Sequence, residues 1–417
     1  MTRSGPSVAN GPAVAYMVLR FPVVTETFVL RELTAVADRV AFPVELFALR
    51  PGRGGAVHPM AKRWLPVVRI GSIARGCLEL LRLAVARPRV VARVVRDVLV
   101  DCGRDPRALA NGLAVVVLAA SLVPAVRRRH VAHIHAHFAT QPAEAAWVLA
   151  AFCDVNYSIT AHAYDLFLDT RGLDRRVGGA RFVACISEYN RRFLRGRNPR
   201  LQYPLVHCGV PTRELRRPPR APDAESTRLI MVSSFQAKKG HAVLVEALRS
   251  SSALRSVRLD LVGTGPLEPA IRSLVLAAGL GDRVTFHGDQ PEDAVRRMVA
   301  RSDILVQPSV VAPDGDIDGI PNTLIEAMAL GVPVVTTAIS GIPELVMDGE
   351  TGVVVRPGDP EELAAGLRRV VEDPGGATRR AAAGLTKVST EFDIADSAEA
   401  MASLLERALY SDQSGKA

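Results

Sequence analysis

Short apolar runs alternate with helical segments along the whole chain, and this alternation constrains the fold more than any other feature. In the first half the apolar runs fall at residues 14–19, 45–49, 131–135, 157–160, 182–186 and 205–207. In the second half they fall at residues 229–232, 258–262, 284–287, 304–307, 333–336 and 352–355. Such short runs, each followed by a helical segment, are typical of strands buried in a parallel sheet. The pattern predicts an α/β fold with a doubly wound parallel sheet in each half.

A polar, proline-rich segment separates the two series of strands. Residues 213–227 read RELRRPPRAPDAEST and show no hydrophobic periodicity, which is typical of a linker. The length of 417 residues suits two domains. The predicted parts are, in order, a first domain, a linker, a second domain, an amphipathic helix that packs back on the first domain, and a frayed tail: residues 1–215, 216–227, 228–394, 395–410 and 411–417.

The charge balance indicates anionic partners. The net charge is +9, and only five of the 52 basic residues are lysines. Phosphorylated ligands and membrane surfaces both attract such a chain. Nucleic acid is excluded as a partner, because an aromatic content of 5% leaves few platforms on which bases could stack. The arginine-rich segment 75–107 either docks on anionic lipid or forms a solvated helix face.

The cysteines and the apolar segments bear on localisation. The five cysteines form no C-x-x-C pair, which argues against a zinc knuckle or a disulfide framework and suits a reducing cytoplasm. The first apolar run lacks the flanks of a signal peptide. The uncharged segment 108–126 is at the lower length limit for a membrane span, and we predict a buried helix there. A cytoplasmic protein, peripheral at the inner face of the membrane, is therefore expected.

The first candidate site is the segment MVSSFQAKKG at residues 231–240. In open α/β sheets ligands lie at the carboxyl ends of strands, where helix N-termini present backbone N–H groups. Here a strand ends, a loop of small and polar residues follows, and Lys238, Lys239 and Gly240 precede a helix. A lysine at that position suits phosphate binding. The alternative is a pair of solvated lysines.

The second candidate site is the segment DIDGIPNTLIEAMALGVPVV at residues 316–335. Asp318 and Glu326 lie eight residues apart, and Asn322 or Thr323 is expected to cap the helix that carries Glu326. A carboxylate on such a helix can bind a vicinal diol, as an acidic residue binds a ribose. Gly319 allows a ligand to approach the backbone closely. The alternative is a capped helix with a surface glutamate.

Three weaker signals also follow predicted strands. His162 and Asp165, in YSITAHAYD, lie where a binding cleft would open, although a structural histidine is the simpler interpretation. Gly263 belongs to a Gly-Thr-Gly-Pro turn that either contacts phosphate or only turns the chain. Thr25 and Glu26 begin the first helix and either face the cleft or cap that helix.

Three histidines alternate in the segment HVAHIHAHF. His133, His135 and His137 therefore share one face of a strand. The H-x-H spacing is typical of metal ligands, but no acidic ligand with matching spacing is evident. We predict no metal site, and a metal-dependent hydrolase remains a rival hypothesis.

Together these segments resemble glycosyltransferase family 4, the retaining nucleotide-sugar transferases of the GT-B fold. Residues 318–326 resemble the E-x7-E segment of that family, with Asp in the first acidic position. GVPVVTT and GIPELVMDGETGVVV resemble the stretches that follow it. FPVVTETFVLREL, HIHAHF and the segment around His162 resemble the branch that builds exopolysaccharides of the colanic-acid type. The resemblance implies two Rossmann-like domains that face each other across a cleft.

The resemblance also implies roles for individual residues. The donor nucleotide would lie on the second domain, with Glu326 on the ribose, Asp318 on the transferred sugar and Lys239 on the diphosphate. His162 would face the reaction centre, and Thr25, Glu26 and Asp165 would lie on the acceptor side. The expected catalytic residues are His162, Asp318 and Lys239. The expected donor-binding residues are Ser234, Lys238, Lys239, Gly263, Asp318, Gly319, Ile320, Pro321, Asn322, Thr323 and Glu326.

The family pattern also implies what the enzyme uses. A nucleotide sugar such as a UDP- or GDP-sugar is the substrate, a glycan or lipid-linked glycan is the acceptor, and no cofactor is expected. Metal is not needed because a cation and helix N-termini stabilise the leaving group. Ser234 occupies the position of a family arginine, so one bidentate phosphate contact is lost. The alternative function is therefore a weak or non-catalytic GT-B protein that scaffolds polysaccharide assembly.

Overall fold

The computed structural model describes residues 11–23, 26–52, 58–168, 170–215, 217 and 226–410. Of the predicted site residues, Thr25 lies outside the described residues, as do the predicted tail at 411–417 and most of the predicted linker. Contacts divide the chain into two compact units. The first unit takes the chain up to Ile186, residues 190–206 and the last helix from Ser397, and the second takes residues 187–189 and 207–396.

The first unit is built on a six-stranded sheet. Its strands are β1 (Ala13–Phe21), β2 (Val44–Pro51), β3 (Arg69–Ile70), β4 (Val131–His137), β5 (Asn156–Ala161) and β6 (Val183–Cys185). They are all parallel, in the order β3-β2-β1-β4-β5-β6. The order reverses between β1 and β4, so the ligand-binding switch point of a doubly wound sheet lies at their carboxyl ends.

Nine α-helices are described between β1 and residue 197. They are α1 (Thr27–Ala37), α2 (Ile73–Ala86), α3 (Pro88–Cys102), α4 (Pro106–Ala120), α5 (Val123–Arg128), α6 (Gln141–Cys153), α7 (Tyr164–Phe167), α8 (Leu173–Gly178) and α9 (Glu188–Arg197). Residues 78–100 have the hydrophobic period of a single helix, but the structure divides them at Pro88 into α2 and α3. Proline has no backbone N–H and is preferred at the first helical position, so a new helix begins there.

The apolar segment predicted as one buried helix forms α4 and α5. Val115, Leu118 and Ala119 on α4 and Val123 on α5 are buried in the core of the first unit. Residues 106–128 have the length and apolar composition of a membrane span, and half of the most apolar window is buried. The segment thus contributes to the core of the α/β unit.

The strand predicted at 205–207 does not form. Leu205 makes only an isolated bridge with Cys185. The preceding residue, Pro204, accepts a hydrogen bond from the Cys185 N–H at 2.9 Å but has no N–H to donate, so the ladder cannot be extended.

The second unit repeats the architecture of the first. Its strands are β7 (Arg228–Val232), β8 (Arg258–Val262), β9 (Val284–Phe286), β10 (Ile304–Gln307), β11 (Val334–Thr337) and β12 (Val353–Val355). They are parallel, in the order β12-β11-β10-β7-β8-β9, so the switch point lies between β7 and β10. Its helices are α10 (His241–Ser250), α11 (Glu268–Ala277), α12 (Glu292–Arg301), α13 (Asn322–Ala329), α14 (Ile342–Leu345), α15 (Pro360–Val371) and α16 (Pro374–Glu391). The last helix, α17 (Ile394–Tyr410), belongs to the first unit from Ser397 onward.

The contact division starts the second unit earlier than the boundary predicted at 215/216. The Val210 N–H donates to the Phe392 carbonyl, and the Ile394 N–H donates to the Val210 carbonyl, both at 2.9 Å. Within α17, Met401 and Leu405 are fully buried in a core cluster of the first unit. The described part of the predicted linker includes Arg217, whose guanidinium donates to three backbone carbonyls of the second unit.

Candidate functional site

The loop after β7 is held against the turn that follows β8. The Ser233 N–H donates to the Val262 carbonyl at 3.0 Å, and the Phe235 N–H donates to the Thr264 carbonyl at 3.1 Å. Gly263 has φ of +125°, and a Cβ there would lie 2.3 Å from the Ser233 carbonyl oxygen. Because no larger residue fits that contact, Gly263 fixes the loop that carries Ser234.

Two lysines follow this loop and reach acidic residues from the loop after β10. A short 3₁₀ turn, Ala237–Lys239, places both side chains beside that second loop. The Lys239 ammonium lies 2.7 Å from Asp318 Oδ1, and the Lys238 ammonium lies 2.9 Å from Asp316 Oδ2. Lys238 is also 3.9 Å from Asp318 Oδ1. The two loops follow adjacent strands, β7 and β10, so the pairs form at the switch point.

The Asp318 carboxylate is buried and held at both oxygens. The residue is 6% exposed, and the Ser309 hydroxyl donates to Oδ2 at 2.7 Å while Lys239 occupies Oδ1. The Ser340 hydroxyl donates to the Asp318 carbonyl at 2.5 Å and also contacts the Gly319 carbonyl at 3.4 Å. Side chain and backbone of the segment before α13 are therefore both restrained.

Helix α13 begins differently from the prediction. Its N-cap is Pro321, and Asn322 is its first helical residue, so the expected cap by Asn322 or Thr323 is wrong. Pro321 has no hydrogen-bonding side chain, and both expected capping residues lie inside the first turn. Asn322 Oδ1 and Thr323 Oγ1 are buried and make no hydrogen bond to any described residue. Buried polar atoms normally have a partner, so these atoms and the N-terminus of the helix suit a polar ligand.

The remaining predicted donor-binding residues lie around the start of this helix. Ile320 is buried and packs against Gly341, since a Cβ added to Gly341 would lie 3.1 Å from the Ile320 side chain. Glu326 is half-buried on the second turn of α13. The structure thus brings Lys238, Lys239 and Asp318 into one cluster and places Glu326 one turn along the adjoining helix.

In the first unit, Asp165 holds the backbone around His162. The buried carboxylate accepts from the amides of His162 (3.1 Å), Ala163 (2.7 Å) and Ala139 (2.8 Å). Burial raises the pKa of Asp165, and these amide bonds oppose that rise. Because the carboxylate is fully enclosed, its contribution is to position the loop after β5. The Asn190 amide donates to the His162 carbonyl and restrains the same loop.

The His162 ring is buried among aromatic side chains. Its centroid lies 4.4 Å from that of Phe138 and 4.9 Å from that of Phe28. His162 Nε2 lies 3.2 Å from His137 Nδ1. Burial and, to a smaller degree, His137 keep the pKa of His162 well below its ordinary value, so the ring is neutral near pH 7. Glu26, at the N-cap of α1, has its pKa raised by burial to about 6.

Several residues of these sites were not predicted. Ser309, Asp316 and Ser340 complete the cluster around the two lysines. Ser309 lies two residues after the end of β10, so the switch-point rule applies to it as well. In the first unit, Glu32 lies beside His137, a contact between residues 105 positions apart that no local spacing indicates.

Comparison with known proteins identifies the second unit. Residues 212–386 match the family described as glycosyl transferases group 1. This part of the chain is a group 1 glycosyl transferase domain. The chain is a glycosyltransferase, as the resemblance predicted.

The most similar relatives include proteins named for exopolysaccharide synthesis. The putative colanic acid biosynthesis glycosyltransferase WcaL of Escherichia coli (strain K12) is 29% identical over 382 residues, which is 85% of this chain and 89% of that protein. The amylovoran biosynthesis glycosyltransferase AmsK of Erwinia amylovora is 35% identical over 181 residues, 43% of this chain and 44% of that protein. The second match is limited to less than half of either protein.

Solved structures show the fold of the glycosyltransferase. Anabaena Alr3699/HepE, solved in complex with UDP and glucose, has a TM-score of 0.71 at 17% identity and covers 95% of this chain and 99% of that one. Sucrose-phosphate synthase from Thermosynechococcus elongatus has a TM-score of 0.72 at 19% identity, covering 95% and 98%. The prediction of a GT-B fold is confirmed.

Proposed function

We propose that this glycosyltransferase moves a sugar, with retention of anomeric configuration, from a nucleotide-sugar donor to a glycan or lipid-linked glycan in polysaccharide biosynthesis. The names of WcaL and AmsK support the polysaccharide, and the UDP and glucose bound to Alr3699/HepE support the donor class. The observation that carries the proposal is the cluster of Lys239, Asp318 and Ser309 beside the N-terminus of α13.

The cluster offers separate partners to the two parts of such a donor. The Lys239 ammonium and the first amides of α13 neutralise the diphosphate, since a cation and a helix N-terminus both attract anions. Asn322 and Thr323 supply buried side-chain oxygens that make no hydrogen bond within the described residues. Asp318 accepts from sugar hydroxyls, and Glu326 accepts from both ribose hydroxyls.

We assign the retention of anomeric configuration to a front-face displacement. The bond between the anomeric carbon and the diphosphate oxygen breaks, and the bond to the acceptor oxygen forms on the same face. The proton of the acceptor hydroxyl passes to the departing diphosphate oxygen. In this scheme no covalent bond forms to the enzyme, and Asp318, held at its two oxygens by Lys239 and Ser309, orients the sugar. NMR of the product tests retention: an inverted anomeric configuration would contradict it.

The first experiment identifies the donor. UDP-, GDP- and ADP-sugars are each added to the purified chain, and the thermal unfolding midpoint is measured, because a ligand that binds only the folded state raises it. The sugar that stabilises most is then tested for release of nucleoside diphosphate. Release above the rate of the Lys239→Met variant supports transfer chemistry, whereas stabilisation without release favours the scaffold alternative.

Metal independence is part of the proposal. The charge that builds on the departing diphosphate is met by Lys239 and by the amides of α13, which act without a divalent ion. A chelator added to the active enzyme should leave the rate of nucleoside diphosphate release unchanged. A loss that Mg²⁺ or Mn²⁺ restores would refute this point.

We also propose a cytoplasmic enzyme that binds the membrane through α2 and α3. Exposed apolar side chains on these helices include Leu81 (68% exposed), Val85 (86%) and Val100 (73%). Exposed arginines lie among them, at positions 75, 82, 89, 93 and 96. Apolar and basic side chains together favour an anionic lipid surface.

Flotation with vesicles that contain phosphatidylglycerol tests the membrane proposal. We expect the chain to float with them at low salt and the double variant Leu81→Ser/Val85→Ser to float less. The matched control is Leu276→Ser, because Leu276 is 72% exposed on α11 of the other unit. Equal flotation of the double variant and the control would refute the surface.

A further inference from the structure

A chain of buried polar side chains leads from α1 to His162. The Tyr16 hydroxyl donates to Glu32 Oε1 at 3.3 Å, and His137 Nε2 lies 3.1 Å from the same oxygen. The other ring nitrogen of His137, Nδ1, lies 3.2 Å from His162 Nε2. The Tyr16 and His137 rings are also stacked, with centroids 5.7 Å apart. All of these residues belong to the first unit, so the chain is complete within it.

When both histidine rings are neutral, the protons in this hydrogen-bonded chain of side chains have one consistent arrangement. Burial and the neighbouring Glu32 raise the pKa of Tyr16 well above its ordinary value, so its hydroxyl keeps its proton and donates. A carboxylate oxygen only accepts, and His137 Nε2 must therefore carry a proton. A neutral imidazole has one N–H, so His137 Nδ1 accepts. His162 Nε2 then carries the proton of that ring, and His162 Nδ1 carries the lone pair.

We propose that Glu32 is a positioning residue that acts through His137 to hold His162 in the Nε2–H tautomer. The inference rests on the proposed function, extended by the place at the reaction centre that the family resemblance implies for His162. In this tautomer the lone pair of His162 lies on Nδ1, a polarity that suits a neutral hydroxyl group of a sugar and disfavours an anionic phosphate oxygen. Asp165 and Asn190 fix the backbone of His162, whereas Glu32 fixes which ring nitrogen holds the proton.

A metal site is the competing explanation of the same residues. Ligand atoms of Glu32, His135 and His137 all lie within 4.8 Å of one another. However, His135 Nδ1 lies 2.8 Å from the Ser158 hydroxyl, and His135 Nε2 lies 2.9 Å from the Thr160 hydroxyl. Hydrogen bonds thus already engage both nitrogens of each ring, which favours a proton network.

The tautomer is measured directly by NMR. In ¹⁵N-histidine-labelled protein, two-bond nitrogen–proton couplings distinguish the two neutral tautomers, and the His162→Gln spectrum assigns the His162 signals. We expect the Nε2–H form of His162 near pH 7.5. A wild-type spectrum that shows the Nδ1–H form overturns the proposal without any variant of Glu32, as does stoichiometric zinc that a chelator removes from the purified chain.

The variant Glu32→Gln tests the role of the carboxylate. A glutamine amide can donate as well as accept, so the proton order of the chain is no longer fixed and a mixture of His162 tautomers is expected. The turnover number for nucleoside diphosphate release should fall at least about 10-fold, as loss of one oriented hydrogen bond to the reacting sugar does, with the donor KM unchanged. Glu79→Gln is the matched control, since the Glu79 side chain on α2 is 10% exposed, against 12% for Glu32, and pairs with Arg82.

The outcomes separate this inference from the proposed function. If His162→Gln loses activity but Glu32→Gln keeps both the wild-type tautomer and the wild-type turnover, the positioning role of Glu32 is wrong. If Glu32→Gln shifts the tautomer while His162→Gln is fully active, the part of His162 in the proposed function is wrong. If Glu32→Gln does not fold, the wild-type spectrum still decides the tautomer.

Discussion

Replacing Lys239 by methionine removes one ammonium group and keeps most of the side-chain volume. In the structure this ammonium lies 2.7 Å from Asp318 Oδ1, and the two side chains are 17% and 7% exposed. The substitution therefore has two separable effects. It leaves a buried carboxylate with fewer donors, and it removes the cation assigned to the donor diphosphate.

The first effect is on stability. A hydrogen bond to a charged group contributes about 1.5–3 kcal/mol. The lower end applies here, because Lys238 lies 3.9 Å from the same carboxylate oxygen and Ser309 still donates to the other. We expect the free energy of unfolding of the second unit to fall by roughly 1.5 kcal/mol. The second effect is on catalysis, where loss of a charge-stabilising donor lowers turnover by roughly 100-fold.

The control is Lys387→Met, which removes the same group from a surface pair. Lys387 lies 2.8 Å from Glu391 on α16, and such helix pairs contribute about 0.3–0.5 kcal/mol. Denaturant unfolding and nucleoside diphosphate release are measured for both variants. We expect Lys387→Met to match wild type in turnover. The reasoning is refuted if Lys239→Met turns over the donor as fast as Lys387→Met does.

Three further predictions concern other parts of the molecule. Glu326→Gln should weaken binding of the nucleoside diphosphate by removing an anionic acceptor for the ribose hydroxyls, and calorimetric titration that shows an unchanged affinity would contradict this role. Ser234→Arg should strengthen the same binding by adding a bidentate phosphate contact, and the same titration checks it. Stability should fall between pH 6.5 and 4, because the pKa of buried His241 is lowered from 6.5 to about 4 and the unfolded chain binds more protons there. Denaturant unfolding should show a loss of more than about 3 kcal/mol, because buried His133, His135 and His162, whose pKa values are also lowered, add to the loss from His241, while Glu26, whose raised pKa favours the fold as pH falls, offsets part of it.

The two sheets could be predicted because strands buried on both faces need continuous apolar runs. The prediction was wrong where one proline changes the backbone, as at Pro88, which divides a helix, and at Pro204, which ends a ladder. In both cases the hydrophobic pattern continues through the proline, so the pattern alone cannot locate the break. Backbone chemistry overrides periodicity at these positions.

The lysine pairs could be predicted only in part. The sequence placed Lys239 and Asp318 after strands, but they are 79 residues apart, and their contact depends on β7 lying beside β10. Strand order in a doubly wound sheet follows from the fold and not from local spacing. With the order known, the switch-point rule brings the two loops together and also includes Ser309.

The sequence around Glu32 carries a signal of its buried position. On α1 the buried positions Val29, Leu33 and Val36 form one stripe, and Glu32 falls on the same face at the i+3 position from Val29. A carboxylate on the apolar stripe of a helix requires a buried polar partner. The alternating histidines of β4 are the polar groups that need one. Since α1 follows β1 and β1 pairs with β4, the topology places Glu32 beside the histidines. The carboxylate on the apolar stripe of α1 and the histidines on the buried strand β4 therefore have the same explanation, because each is the polar partner of the other.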